Sequence, residues 1–466
     1  MITVIKRELL DHLQSIQFIV LLCICIVLFL ANGMISVKRY NQQISFYNEQ
    51  VSSIRQHPST IMTMLYREPN QLSFVVEGGD KYRPYGYTLK QKGVLDAMPS
   101  GPRNFKLPEI PELDWSFIIK VIFSLYVILL GYNAISGEKE QGTLRQILSN
   151  SMGRIKVLVA KYIAILLTAL VPLVTGVVIS LIIVGIFVPQ VLTLTNVSRV
   201  LLMLLLTFIY LSLFAFLSLL FSSLIYRSSL VLLILLAIWV VFAIIIPNTS
   251  GIFSQSFSRV PSEYQTAKMI GPMIQQQVWA RIKKISERVD KGELKTEEEV
   301  KKESDRAFNE GQDELIKHYK SYEDAMKQRA IMAENLSRLS PTALFQYASE
   351  NITQTGTKRE ENFLNDARNY AHIYDNYILE KLGKLVGTSM WSFSTNMMIG
   401  GKSVYIGSPW PQEYQGDKSD FPQFVESQPS VARSLRDALY DIAGLIVWNL
   451  ILATLAFSAF LRADVR

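Results

Sequence analysis

Six stretches of this chain are apolar for about 20 residues or more, the length that crosses roughly 30 Å of hydrocarbon. They fall at 16–36, 116–136, 157–188, 200–224, 230–247 and 437–461. A soluble protein of 466 residues can also be 49% hydrophobic, so the fraction alone decides nothing. The clustering does decide: the chain reads as an all-α integral membrane protein with six transmembrane helices.

The flanks set the rest of the plan. Residues 1–15 place Ile2, Ile5, Leu9 and Leu13 at helical spacing, with Lys6, Arg7, Glu8 and Asp11 on other faces. That pattern predicts an amphipathic helix lying at the membrane interface. The first span follows it and is read as a retained anchor, because acidic residues interrupt its flank and no small-residue cleavage site follows. Short links carrying Arg154, Lys156, Arg227 and Arg462 mark one side as cytoplasmic, with both termini there and 462–466 as a tail. The two long polar segments, 37–115 and 248–436, then lie outside. In the first, Pro58, Pro69, Gly78, Gly79, Pro84, Pro99, Pro102, Pro108 and Pro111 predict loops and short elements after a helical start. The second reads as a large, mostly helical insertion. One helix carries a seam of Met273, Ile274, Val278, Ile282 and Ile285 and is expected to break or kink at Gly271-Pro272. A turn at Lys291-Gly292 follows, then a charged helix using Leu315, Ile316, Tyr319, Tyr322 and Met326. Ser340-Pro341 reads as an N-cap and first helical residue. Trp391, Phe393, Tyr405, Trp410 and Tyr414 suit a membrane interface or a mouth over the spans.

Several functions are disfavoured. The net charge of +7 is interleaved with acidic residues and lacks a basic stripe with stacking aromatics, which argues against nucleic acid. Cys23 and Cys25 both lie in the first span and cannot staple an exported domain or build a metal site. His12, His57, His318 and His372 are scattered, with no catalytic grouping. Gly401-Lys402-Ser403 ends like a phosphate loop, but Asn396 stands where its first glycine should be. The spans hold no central Asp or Glu, and Asp441 lies at the outer end of the sixth. Ion-coupled carriers generally need such groups, so an external energy source is expected. Lys120, near the outer end of the second span, is expected to snorkel to the interface.

The polar segment with the most specific pattern is 137–161, GEKEQGTLRQILSNSMGRIKVLVAK. Glu138, Lys139, Glu140 and Gln141 follow the second span directly. Gly142-Thr143 breaks the run, and Leu144, Ile147 and Leu148 then recur at helical spacing. Arg154, Lys156 and Lys161 lead into the third span. An ordinary positive-inside loop would carry the same charges. The alternative is a short amphipathic helix through which a cytoplasmic partner pushes on the spans.

E-K-E-x-G-T-L-x-x-I-L-S, a basic link and a Lys opening the next span resemble the loop of ABC-2 type permeases. These are the membrane subunits of ATP-binding-cassette exporters. LSRLSPTALFQYASENITQTGT and the helix after it resemble a subgroup with a large helical insertion before the last span. The resemblance implies a permease subunit exporting a hydrophobic or amphipathic substrate across a bacterial plasma membrane. It implies no catalytic residues or cofactor in this chain, with ATP and Mg bound by separate cytoplasmic ATPase subunits, and a second permease, identical or related. It assigns ATPase coupling to 137–156, namely Glu138, Lys139, Glu140, Gln141, Gly142, Thr143 and Leu144, with Glu138 and Glu140 meeting basic groups on the ATPase. It lines the route between halves with the second and fifth spans, hence Tyr126, Tyr132, Asn133 and Trp239. Polar residues in spans are more often packing contacts. A different use fits the same sequence: the ATPase would move the external domain against another envelope protein, and nothing would be transported.

Overall fold

The computed structural model describes residues 2–79, 84–97, 113–149, 153–257, 263–385, 394–399, 402–407 and 412–462. Six helices in it are long and apolar enough to cross a membrane. A short helix, α1 (Ile2–Leu13), precedes them. Ser15 then accepts the backbone N–H of Phe18 at 3.2 Å and starts α2 (Ile16–Gln56). At 1.5 Å per residue its 41 residues span about 60 Å, twice the hydrocarbon thickness, so its second half stands clear of the bilayer. The second span, α3 (Trp115–Glu140), contains a π-helical turn at Ile118–Phe123. After it come α4 (Thr143–Ser149), α5 (Arg154–Phe187), α6 (Leu194–Leu224) and the fifth span α7 (Ser228–Gly251), whose helical backbone continues to Phe257. The insertion supplies α8 (Glu263–Asp290), α9 (Glu297–Ser337), α10 (Pro341–Thr353) and α11 (Thr357–Leu382) before the last span, α12 (Val431–Arg462).

Two small sheets depart from an all-α chain. In 37–115, β1 (Met62–Tyr66), β2 (Gly86–Lys90) and β3 (Val94–Ala97) form an antiparallel sheet, with Leu65 opposite Tyr87 and Leu89 opposite Leu95. In the insertion, β4 (Ser394–Ile399) pairs with β5 (Lys402–Gly407). Turn residues dominate the sequence around β1–β3, and the strands are held by what lies across from them. Leu65 and Leu89 are buried against Phe363, Ala367 and Tyr374 of α11. Helix α8 is not broken at Gly271-Pro272. Pro272 lies inside α8, and the helix is fastened beyond it by Ile274, Val278, Ile282 and Ile285 packing on Val300, Ala307, Phe308 and Leu315. Met273, expected in that seam, is exposed. Pro99, Pro102, Pro108, Pro111, Trp391, Phe393, Gly401 and Trp410 lie outside the described residues, as do the side chains of Ile147 and Leu148.

Within the bundle α3 and α6 are the most enclosed spans, each 61% buried, whereas α7 is 17% buried and offers its apolar faces to lipid. Close helix approach is bought at two glycines. A Cβ on Gly176 of α5 would stand 2.3 Å from the Phe29 ring of α2, and one on Gly131 of α3 would stand 2.0 Å from Ser218 Oγ of α6. Gly131→Ala is expected to force α3 off α6 and cost about 1–3 kcal/mol, read as a lowered melting temperature in detergent. Gly251→Ala, with nothing within 4 Å, is the matched control.

Helix α10 ties the insertion to the spans. Tyr210 of α6 stacks on Phe345 with ring centroids 4.5 Å apart, and Ser340 Oγ donates to the carbonyl of Phe242 in α7. Lys120, expected near the interface, donates from Nζ to Gln346 Oε1 of α10 at 2.5 Å. Both long excursions meet at this end of the bundle, for instance where Asn70 Nδ2 donates to the carbonyls of Thr353 and Gln354. The short links, α1 and the end of α12 gather at the other end, where Arg154 Nη1 donates to the carbonyl of Leu461 at 2.8 Å.

Candidate functional site

The short-link end is built around one buried cation. Lys161 lies two turns into α5 with its side chain 2% exposed. Its Nζ donates to Glu138 Oε1 at 2.6 Å and to Glu8 Oε1 at 2.8 Å. Glu138 ends α3 and Glu8 is on α1, so one ammonium clasps three helices. A lysine this deep is tolerable only with carboxylates in contact. The second oxygen of Glu138 is buried with no hydrogen-bond partner among the described residues. His12, one turn on from Glu8, is held below its ordinary 6.5, first by burial, with Glu8 opposing.

That shift carries a pH dependence. The folded chain binds the His12 proton less readily than the unfolded chain, so this contribution is complete above about pH 6.5 and is lost as the pH falls from there through the lowered folded value. Thermal stability is expected to drop as the pH falls below about 6.5, with a shallower slope in His12→Gln.

The neighbouring residues bind the same segment to the fourth and fifth spans. Glu140 accepts the backbone N–H and hydroxyl of Ser228 at 3.0 and 2.9 Å, capping the first turn of α7. Lys139 Nζ donates to the carbonyl of Ser223, and Tyr226 Oη returns a hydrogen bond to the carbonyl of Lys139. Ser222 Oγ accepts the N–H groups of Ile135 and Ser136, both at 2.9 Å. Gly142 then turns the chain with φ +71°, the left-handed region that favours glycine, in open space. Thr143 Oγ1 donates to the carbonyl of Glu138 at 3.4 Å, and Leu144 is buried in the bundle core. Gln141, Gly142, Arg145 and Gln146 form the exposed edge.

The carboxylates that the sequence directs at a partner are therefore engaged inside the chain, Glu138 by Lys161 and Glu140 by Ser228. Sequence reasoning missed the clasp. Lys161 reads as one of several interfacial charges, and Glu8 as part of the polar face of α1. Only the position of Lys161, about two turns deeper than Arg154 and more than one deeper than Lys156, hints at burial.

The residues assigned to the second and fifth spans do not share one environment. Tyr126 is buried, and its hydroxyl has no partner among the described residues. Trp239 Nε1 donates to Ser124 Oγ at 2.8 Å, joining α7 to α3. Tyr132 is half-buried and Asn133 is exposed.

Six apolar helices and polar links anchored to them define a multi-pass helical membrane protein. Residues 2–465 match the family model described as ABC-2 family transporter protein, and the chain belongs to that family. Comparison with curated proteins returns no match.

Proposed function

We propose that the chain is the permease half of an ATP-driven exporter, working with a second permease and two cytoplasmic ATPase subunits that bind ATP and Mg. The observation that carries this reading is the Glu8–Lys161–Glu138 clasp together with the Glu140 cap on α7. A push on the exposed edge at Gln141–Gln146 would reach α1, α3, α5 and α7 through four short polar contacts. The short-link end, with both termini, would face the cytoplasm of a bacterial cell, and the insertion would stand outside the plasma membrane. Aliphatic spans suit a hydrophobic or amphipathic substrate, passed between the second and fifth spans of two halves.

A photo-crosslinking residue at Gln141 or Arg145 tests the docking edge. Crosslinks to an ATP-binding-cassette ATPase are expected from both, and none from Lys291 on the far side. No ATPase adduct from either position would overturn the assignment.

One observation favours transmission of force to the outer domain. The base of α9 is fastened to two spans: Arg338 Nε donates to Asp441 Oδ1 of α12 at 2.7 Å, and Ser337 Oγ donates to Ser250 Oγ of α7 at 2.6 Å. Tilting of α7 and α12 would then swing α9 whether or not a substrate crosses.

A further inference from the structure

The outer domain has two hydrophobic cores that do not merge. One lies between α8, the first half of α9 and β4–β5, built on Ile274, Val278, Val300, Phe308, Met397 and Ile406. The other lies between β1–β3 and α11, built on Leu65, Leu89, Phe363 and Tyr374. Between Ile316 and Leu336, α9 buries no residue at all. Over those residues its ties to α11 include groups near water, Lys327 to Glu361 at 2.6 Å and Arg368 to Glu323 at 3.7 Å, and the helix also runs beside Ile246–Phe257 at the end of α7. Its base is bolted to α7 and α12, as described above. The first core and its helices therefore form an arm on a long helix, with polar contacts holding it to its neighbour.

The contact best placed to hold that arm is Lys92, in the turn between β2 and β3. Its backbone is left-handed, φ 63° and ψ 26°, a conformation that non-glycine residues seldom adopt. Glycine would fit this turn without strain, so the side chain needs another reason to be there. Its N–H donates to Asp375 Oδ1 of α11 at 3.0 Å, which fixes the turn on the sheet lobe. Its ammonium reaches across to α9, donating to Asn309 Oδ1 at 2.7 Å and standing 3.8 Å from Asp313. Asp313 is 68% exposed, so water competes for the pair and the contact can break without burying a charge.

We propose that Lys92 is a releasable latch that holds the α8–α9 arm against the sheet lobe, and that the arm swings about the base of α9 when the latch opens. The proposal concerns the outer domain alone and stands whether the spans transport a substrate or transmit force.

Spin labels at Lys291 and Glu380, both exposed, would follow the separation of arm and lobe in the full chain. The background would carry Cys23→Ala and Cys25→Ala, and the protein would be in lipid nanodiscs. With Lys92 intact the distance distribution is expected to be narrow. Lys92→Gly removes the latch while relieving the backbone, and should broaden the distribution and shift it to longer distances. The double variant Asn309→Ala with Asp313→Ala breaks the same contact from α9, leaves the sheet turn untouched and should give the same shift. Distributions unchanged in both variants would overturn the latch. A shift in Lys92→Gly without one in the α9 variant would also overturn it, because it would trace the change to the turn itself.

Discussion

Lys161→Met is expected to cost more stability than any other single substitution at the short-link end, toward the lower part of the about 3–5 kcal/mol seen when one partner of a buried ion pair is removed. Methionine matches the stem of lysine, so packing in α5 changes little. What is lost is the only cation within 4 Å of either carboxylate among the described residues. Glu8 and Glu138 keep 21% and 17% of their side-chain surface, and the water they retain softens the penalty. The clasp reading makes a sharper claim about combinations. Adding Glu8→Gln and Glu138→Gln to Lys161→Met removes the stranded charges and should recover most of the loss. A purely steric role for Lys161 would instead make the three changes additive. Thermal unfolding of the four variants in one detergent separates the two.

The second large effect is expected at Asn32, halfway along α2 and 1% exposed. Its amide is fully used. Nδ2 donates to the carbonyls of Phe74 at 3.0 Å and Leu113 at 2.5 Å, while Oδ1 accepts from Ser180 Oγ at 2.9 Å and Trp115 Nε1 at 3.2 Å. One side chain thus closes the loop at 70–79 and the entry to α3 over the middle of α2 and the C-terminal part of α5. Asn32→Leu leaves these groups facing an apolar side chain. Trp115 Nε1 keeps Ser180 Oγ at 3.1 Å, and the Phe74 carbonyl keeps the N–H of Trp115 at 3.3 Å. The cost should therefore be about 2–4 kcal/mol, given about 1–3 kcal/mol for each buried group left unsatisfied. Asn32→Asp should be worse, since a carboxylate would face two carbonyl oxygens without a donor. Hydrogen exchange over 70–79 should rise in both variants, while Asn41→Ala, on the exposed stretch of the same helix, should leave it unchanged.

The spans were legible because lipid demands one thing, length without charge, and six stretches meet it. The cap at Ser340 was legible for a similarly local reason: its Oγ accepts the N–H of Thr342 at 3.1 Å, a bond set by residues two apart. The family could be read from E-K-E-x-G-T-L because that run is contiguous. The clasp was not legible, because Lys161 lies 153 residues from Glu8. A lysine that opens a span looks the same in sequence whether it reaches water or an acid. The β1–β3 sheet was hidden in the same way, since its strands are specified by α11, nearly 300 residues on. Pro272 is the opposite case, since it does not break its helix. Its local preference is real, and the packing of the helix on α9 outweighs it.

The central claim, that an ATPase drives these spans through the short-link end, is tested most directly by gentle purification of the tagged protein from its native membrane. The account predicts a stoichiometric ATP-binding-cassette ATPase in the preparation and vanadate-sensitive ATP hydrolysis that Lys161→Met disrupts. A protein that purifies alone, with no ATP hydrolysis in any mild detergent or nanodisc, would contradict it.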